Sequence, residues 1–172
     1  MRQRLTTFVV LALCSLFGCA SHTQAVSPTF AVDVTVKSDD AIIEALVRLA
    51  VQDHDVTFPG RNLYFLQIEQ HDPSDSLLAK LNVPGAVFKK ASACSRVQEP
   101  GVPLNLYNYL DNATKERGVL VSVAIDEWKS DDTIVASFGW DESSLSAHSL
   151  TVRMRRAQDE WTIIETLWDM QS

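Results

Sequence analysis

Four successive segments in the last third of this 172-residue chain alternate between apolar side chains and their neighbours with a period of two. A strand points successive side chains to opposite faces, so this alternation predicts β-strands, and short polar turns between them predict antiparallel pairing. The sequence therefore predicts a four-stranded antiparallel meander over residues 118–168. The segments are residues 119–126, 133–140, 150–155 and 161–168, and the turns are residues 129–132, 141–144 and 157–160.

An amphipathic helix is predicted over residues 38–52, with Ser38 as the N-cap and the first-turn acids Asp39 and Asp40 favoured by the helix dipole. Its apolar residues recur at helical spacing: Ile42, Ile43, Leu46, Leu49 and Ala50. A strand at 63–69, a short helix begun by the cap Ser74 and an extended segment at 86–96 follow. One face of the meander needs a cover, so we predict an α+β fold with the N-terminal helix packed on an antiparallel sheet. The core is expected to include Val121, Val123, Ile125, Val152 and Ile163.

The first nineteen residues have the order of an export signal. Arg2 and Arg4 are basic, residues 5–17 are uncharged and mostly apolar, and the small residue Gly18 precedes Cys19. The apolar stretch is shorter than the roughly 20 residues that a spanning helix needs. The alternative is an ordinary secretory signal cut near Ala20 or Ala25.

The run Leu16-Phe17-Gly18-Cys19 resembles the lipobox of bacterial lipoproteins. That resemblance implies a signal peptide at 1–18 and a lipidated N-terminus, followed by a tether up to residue 35. The length of the remaining chain predicts one α+β domain at 36–172. It also implies acyl chains such as palmitate on Cys19, which would hold the protein on a membrane. Ala20, in place of an aspartate after the cysteine, implies the outer membrane.

Charge and cysteine content exclude several classes of function. The full chain has a net charge of −7, and loss of residues 1–18 removes two arginines and no acid, so the mature charge is −9. Such a surface repels phosphate backbones, which excludes nucleic acid as a partner. After lipidation of Cys19 only Cys94 remains in the mature chain, so no internal disulfide is expected and Cys94 is predicted to be a reduced, buried thiol.

The order of elements resembles small cystatin-like or NTF2-like proteins, and residues 72–172 resemble a family of uncharacterised secreted bacterial proteins. The second resemblance implies a fold and transfers no catalytic residue. Its motifs are Asp72-Pro73-Ser74-Asp75, Lys90-x-Ser92-x-Cys94, Glu116-Arg117-Gly118, Trp128-x-Ser130-Asp131, Ser144-Leu145-Ser146-Ala147, Trp161, and Trp168-x-x-x-Ser172.

The best local candidate for metal binding is His54 between Asp53 and Asp55. Adjacent helical residues point in different directions, so a polar end of the helix is the favoured interpretation. His71 and His148 have no second ligand at metal spacing. No metal, cofactor or catalytic residue is therefore predicted.

Three other groups have both a structural and a functional interpretation. The structural interpretation of the acids at the first turn is a solvated turn, and the functional one is a weak calcium site or an acid/base pair. These acids are Asp126, Glu127, Asp131 and Asp132. The basic cluster Arg153, Arg155 and Arg156 lies on a solvent face, or docks an acidic partner or a glycan. The tryptophans Trp128, Trp140, Trp161 and Trp168 belong to the core, or an exposed pair contacts protein or glycan.

These observations predict a lipid-anchored cell-envelope protein on the periplasmic face of the outer membrane. We expect a binding or structural module with an envelope protein or a glycan as partner. A small hydrolase with an NTF2-like pocket is the alternative. A pocket in which at least two Asp, Glu, His or Tyr side chains converge would favour the hydrolase.

Overall fold

The computed structural model describes residues 39–98, 101, 106–158 and 160–172. The predicted signal peptide, Cys19, the tether and the cap Ser38 lie outside these residues. The helices are α1 (Asp39–Thr57) and α2 (Asp75–Lys80), and a single 3-10 turn spans Ala91–Ala93. The strands are β1 (Leu63–Ile68), β2 (Val87–Lys90), β3 (Cys94–Gln98), β4 (Tyr107–Asp111), β5 (Arg117–Ser130), β6 (Thr133–Ser143), β7 (Ser146–Ala157) and β8 (Glu160–Gln171).

The prediction of an α+β fold on an antiparallel sheet is wrong. Strands hold 55% of the described residues and helices 22%, so the fold is mostly β, and the sheet is mixed. β1 pairs in parallel with β2 on one side and with β5 on the other. Parallel neighbours need a crossover connection, and here α2 joins β1 to β2 while β3 and β4 lie between β1 and β5 in the chain. Period-2 alternation carries no information on such crossovers.

The four C-terminal strands pair antiparallel in chain order, β5 with β6, β6 with β7 and β7 with β8. One face of these strands packs on α1 in the main core. We call the opposite face the open face; Ser122, Ala124, Ser137 and Ser149 lie on it.

Helix α1 is buried on more than one side. Eight of its apolar residues are at most 5% exposed, including Ala45, Val47 and Val51, which lie outside the predicted apolar stripe. A helix apolar on most sides must be enclosed, and α1 contacts both β5 and β6. The helix also continues to Thr57, beyond the predicted end at 52.

Strands β3 and β4 form a hairpin that belongs to a second, smaller core on the other side of the sheet. Tyr109 of β4 packs there with Leu63 and Phe65 of β1, next to Leu120 of β5. The pattern of residues 107–111 does not predict this strand.

Two residues of the predicted core are less buried than expected. Val121, Val123 and Val152 are buried, but Ile125 and Ile163 are only half-buried. A register shift follows Ile125 in β5, and another lies beside Ile163 in β8, which has no second neighbour among the described strands. Both side chains still pack against the main core, so they lie at its margin.

The second helix begins as predicted, since Ser74 Oγ accepts a hydrogen bond from the backbone N–H of Leu77 at 3.2 Å.

None of the helices in the described ranges is long and apolar enough to cross a bilayer.

A strained two-residue turn follows β1. Ile68 and His71 exchange backbone hydrogen bonds of 2.8 Å, and the two residues between them, Glu69 and Gln70, have φ of 49° and 67°. A two-residue turn with positive φ at both positions normally takes Asn-Gly, because other L-residues are disfavoured there. Glu69 N–H also donates to the carbonyl of Val123 at 3.0 Å, which fixes the turn against β5.

Replacing Glu69-Gln70 with Asn-Gly should therefore stabilise the protein by about 1–2 kcal/mol. The measurement is the free energy of unfolding from urea denaturation. Glu69→Gln is the control, because it removes the same charge and keeps the strained backbone. An equal gain in the control, or no gain in the double variant, would contradict the strain.

Candidate functional site

The open face carries a cleft of about 540 Å³, here called the open-face cleft. It crosses β5, β6 and β7 and ends against the turn after β1 on one side and Met170 of β8 on the other. Its floor is built from small residues, which leave room above the sheet. Its lining on this face includes Gln67, Glu69, Gln70, Ser122, Ala124, Asp126, Ser137, Gly139, Asp141, Ala147, Ser149 and Met170.

Gly139 is required in the floor of the cleft. It lies between the buried residues Phe138 and Trp140 and opposite Ser149 of β7. A Cβ at position 139 would lie 2.4 Å from the carbonyl oxygen of His148 and 2.9 Å from Cα of Ser149. Those neighbours are backbone atoms that cannot move aside cheaply, so any other residue would push β6 and β7 apart.

One end of the cleft is closed by a carboxylate held between two tyrosines. Asp141 Oδ2 accepts hydrogen bonds from Tyr107 Oη at 2.9 Å and Tyr109 Oη at 2.8 Å. Burial, followed by the bond to Asp141, raises the pKa of both phenols. Arg96 lies 3.5 Å from the centre of the Tyr107 ring. The two phenols are thus neutral donors that orient Asp141.

The remaining polar groups of the cleft are partly tied to one another. Asp126 accepts a hydrogen bond from Ser137 Oγ, and Gln67 Nε2 donates to Ser122 Oγ at 2.7 Å. Ser137 Oγ also lies 3.1 Å from Thr151 Oγ1. These bonds run across neighbouring strands, so the sheet itself positions the polar side chains.

A second polar cluster lies at the C-terminal end of α1, and we call it the Asp53 junction: Asp53, Trp140, His148 and Asp169. Asp53 Oδ2 accepts from Trp140 Nε1 at 2.6 Å and lies 2.6 Å from His148 Nδ1. His148 Nε2 lies 2.8 Å from Asp169 Oδ1. Burial lowers the pKa of His148, but the bonds and charges of the two aspartates outweigh it, so the net pKa is raised. The protonated ring donates from both nitrogens.

His54 occupies a separate buried position beside this junction. Its Nδ1 lies 3.3 Å from Tyr64 Oη, and its Nε2 lies 3.6 Å from the Glu142 carboxylate, which also contacts Arg61 Nε at 3.0 Å. Tyr64 in turn donates to Asp55 at 2.8 Å. Burial lowers the pKa of His54 despite the nearby Glu142, so the ring is neutral at pH 7.

The three neighbouring residues of the best metal candidate do not converge: Asp53 has its own partners, whereas His54 and Asp55 share Tyr64. Asp53 faces β6 and β7, His54 faces Tyr64 and Glu142, and Asp55 faces Tyr64. Groups of three or more metal-ligating side chains are absent from the part of the chain that the structure describes. Residues 53–55 instead fasten α1 to the sheet, and their partners explain why the helix continues past residue 52.

The other candidates occupy structural or solvent-exposed positions. Arg153 pairs with Glu165, and Arg155 approaches Asp132 at 3.6 Å. Glu127 pairs with Lys129. Trp140 and Trp161 are buried. Trp128 and Trp168 are half exposed and lie on different strands, β5 and β8.

Cys94 is free and half-buried, which corrects the prediction of a buried thiol. Burial, with the charge of Asp111, raises its pKa to about 11. The nearby Lys89 does not activate it, since Lys89 Nζ pairs with Asp111 Oδ2 at 2.6 Å. That bond, with backbone donors of the following turn, holds the pKa of Asp111 far below its usual range.

Comparison with protein-family models, with curated proteins and with solved structures gives no match to this chain. The site must therefore be interpreted from its own geometry.

The open-face cleft is not predicted by any pattern in the sequence. Alternation placed Ser122, Ala124 and Asp126 on the face opposite Val121 and Val123, but the walls come from Gln67 and Met170. The one available signal was the run of small and polar residues on one face of β5 to β7.

The Asp53 junction generates a pH prediction for His148→Gln. A raised pKa means that the contribution of His148 to stability is fully present below its ordinary pKa of 6.5 and is lost as pH rises through the folded-state pKa. We expect the variant to lose about 1–3 kcal/mol of unfolding free energy at about pH 5 and clearly less at about pH 9.

The control is His71→Gln, which removes an exposed histidine. His54 has a lowered pKa, so its effect on stability has the opposite sign: stability is lost as pH falls below 6.5. His54 is present in both proteins, so the difference in unfolding free energy between wild type and variant isolates His148. A loss that is constant with pH would contradict the charged junction.

Proposed function

We propose that this chain is a lipid-anchored binding module of the cell envelope, on the periplasmic face of the outer membrane, and that the open-face cleft holds its ligand. The anchor on Cys19 rests on the lipobox-like run of the sequence. Acyl chains would keep the protein on the membrane without help from the folded domain. The ligand would then come from the envelope, as part of a protein or a glycan.

The observation that carries the binding proposal is the combination of space and polar groups on the open face. The cleft of about 540 Å³ lies within the usual size range of small-ligand sites. Its floor is small and partly apolar, and a few hydrogen-bonding groups held by the sheet surround it. Such a site binds by shape and by a small number of oriented polar contacts.

The hydrolase alternative receives less support from the same geometry. Asp126 bonds to Ser137, and Asp141 lies four residues further along β6, which is about 13 Å on an extended strand. Paired carboxylates in glycoside hydrolysis stand about 5–9.5 Å apart. Asp126 and Asp141 therefore do not converge on one reacting atom, and the buried His54 is closed to a substrate.

The anchor is tested by Cys19→Ser. The variant should leave the membrane fraction or accumulate as an uncut precursor, and a labelled fatty acid should mark the wild type alone. Cys94→Ser is the matched control and should keep both label and location. Wild-type protein that fractionates as soluble and takes no label would refute the anchor.

The cleft is tested by Ala124→Leu, which fills its floor. We expect isopropanol and phenol, used as small organic probes, to shift amide NMR signals of residues 122–126 and 137–141 in the wild type. These shifts should be lost in the variant, because the added side chain occupies the space that the probes need. Ala113→Leu, the same change in an exposed turn, should leave them intact.

Ala147→Leu provides a second filled cleft if Ala124→Leu does not fold. Probes that shift other regions and leave these two strands unchanged would contradict the proposed site.

A further inference from the structure

Eight carboxylates of the described residues pair with a lysine or an arginine. Such pairs join the helices, the hairpin and the long strands to one another. They include Asp40–Lys80, Glu44–Arg48, Asp75–Lys90, Asp111–Lys89, Glu127–Lys129, Asp132–Arg155, Glu142–Arg61 and Glu165–Arg153.

The acids that line the open-face cleft are not among these pairs, and the same is true of Asp55, Asp72, Glu116 and Asp131 outside the cleft. Within the described ranges, Glu69 and Asp126 have no ion-pair partner, and Asp141 is held by two neutral phenols. Among the described residues, no lysine or arginine lines the cleft. His148 lines it too, but both nitrogens of its ring are engaged by Asp53 and Asp169. The cleft therefore keeps negative charge that the described residues do not neutralise.

The acids occupy different edges of the cleft, around a floor with little charge. Glu69 stands on the strained turn at one side, Asp126 bonds to Ser137, and Ser137 lies about 13 Å from Asp141 along β6. The floor between them consists of Ala124, Gly139 and serine side chains. A complementary ligand would place an aliphatic body over this floor and a positive charge near the edge.

We infer that the open-face cleft selects a ligand that bears a primary ammonium or guanidinium group on a short aliphatic chain, such as an exposed lysine or arginine side chain of an envelope peptide. This inference rests on the proposed binding function and specifies its ligand. A cation gains from the uncompensated carboxylates, and the apolar body gains from contact with the floor. An anionic ligand of the same shape is repelled, and a neutral one gains only the apolar contact.

The strained turn supports the positioning of Glu69. The backbone bond from Glu69 to Val123 fixes the turn beside β5, so the side chain starts from a defined place at the edge of the cleft. Residues in disfavoured backbone conformations persist where the surrounding structure holds them.

The test compares three probes of equal length: 1,5-diaminopentane, 1,5-pentanediol and glutarate. Binding is followed by amide NMR shifts of residues 122–126 and 137–141 in the folded protein. We expect the diamine to bind about tenfold more tightly than the diol, and glutarate to leave these signals unchanged. Added salt should weaken the diamine alone.

Variants identify the carboxylates involved. Asp126→Asn and Glu69→Gln should each weaken diamine binding about two- to fivefold, the range for an exposed ion pair. Asp131→Asn is the matched control, because it removes the same charge from an exposed turn outside the cleft and should have no effect.

Three results would overturn the inference. Equal binding of diol and diamine in the cleft would refute the ammonium class and leave the binding cleft in place. The ammonium class would also be refuted if the diamine caused no NMR shifts while isopropanol and phenol still shifted the signals of the cleft strands. If Asp131→Asn and Asp126→Asn weakened diamine binding equally, the diamine would be attracted to the whole acidic surface and not to the cleft. If no probe shifted the cleft signals, the proposed function itself would be refuted.

Discussion

One carboxylate oxygen, Oδ2 of Asp53, holds the end of the long helix on the sheet. It accepts from the Trp140 indole on β6 and contacts the His148 imidazole on β7, which in turn reaches Asp169 on β8. Three strands are thus tied to one helical residue. Hydrogen bonds to charged groups contribute more than neutral ones, and here they fix α1 against one face of the sheet. The opposite face is left for other contacts.

The open face is then divided between a structural end and a free end. The β3–β4 hairpin packs its tyrosines over the start of β1 and β5, and the two phenols reach Asp141 at the boundary. Beyond Asp141 the described residues leave the cleft open, and Gly139, which has no side chain, leaves room above the sheet. Because the acids there have no cationic partner among the described residues, the cleft combines space, a small floor and negative charge. This combination is the basis of the proposed binding role.

The sequence predicted features that depend on local pattern. Alternation located β5 to β8, helical spacing located α1, and Ser74 marked the start of α2. Patterns that depend on distant partners were missed. The parallel pairing of Leu66 with Val121 joins residues 55 positions apart, and nothing in either strand specifies its direction. The role of His148 likewise depends on Asp53, 95 residues earlier. The cleft required both the sheet order and the turn at Glu69, so its residues could not be grouped from spacing alone.

Native-state hydrogen exchange tests most directly whether α1 and the sheet form one cooperative unit. The account predicts that amides of Leu46 to Val51 in α1 and of Val119 to Val123 in β5 exchange with the same free energy, equal to that of global unfolding, because both groups share one core. Exchange of the α1 amides at a free energy several kcal/mol below that of β5 would contradict it. The helix would then open independently, and the face that it covers would not be permanently closed.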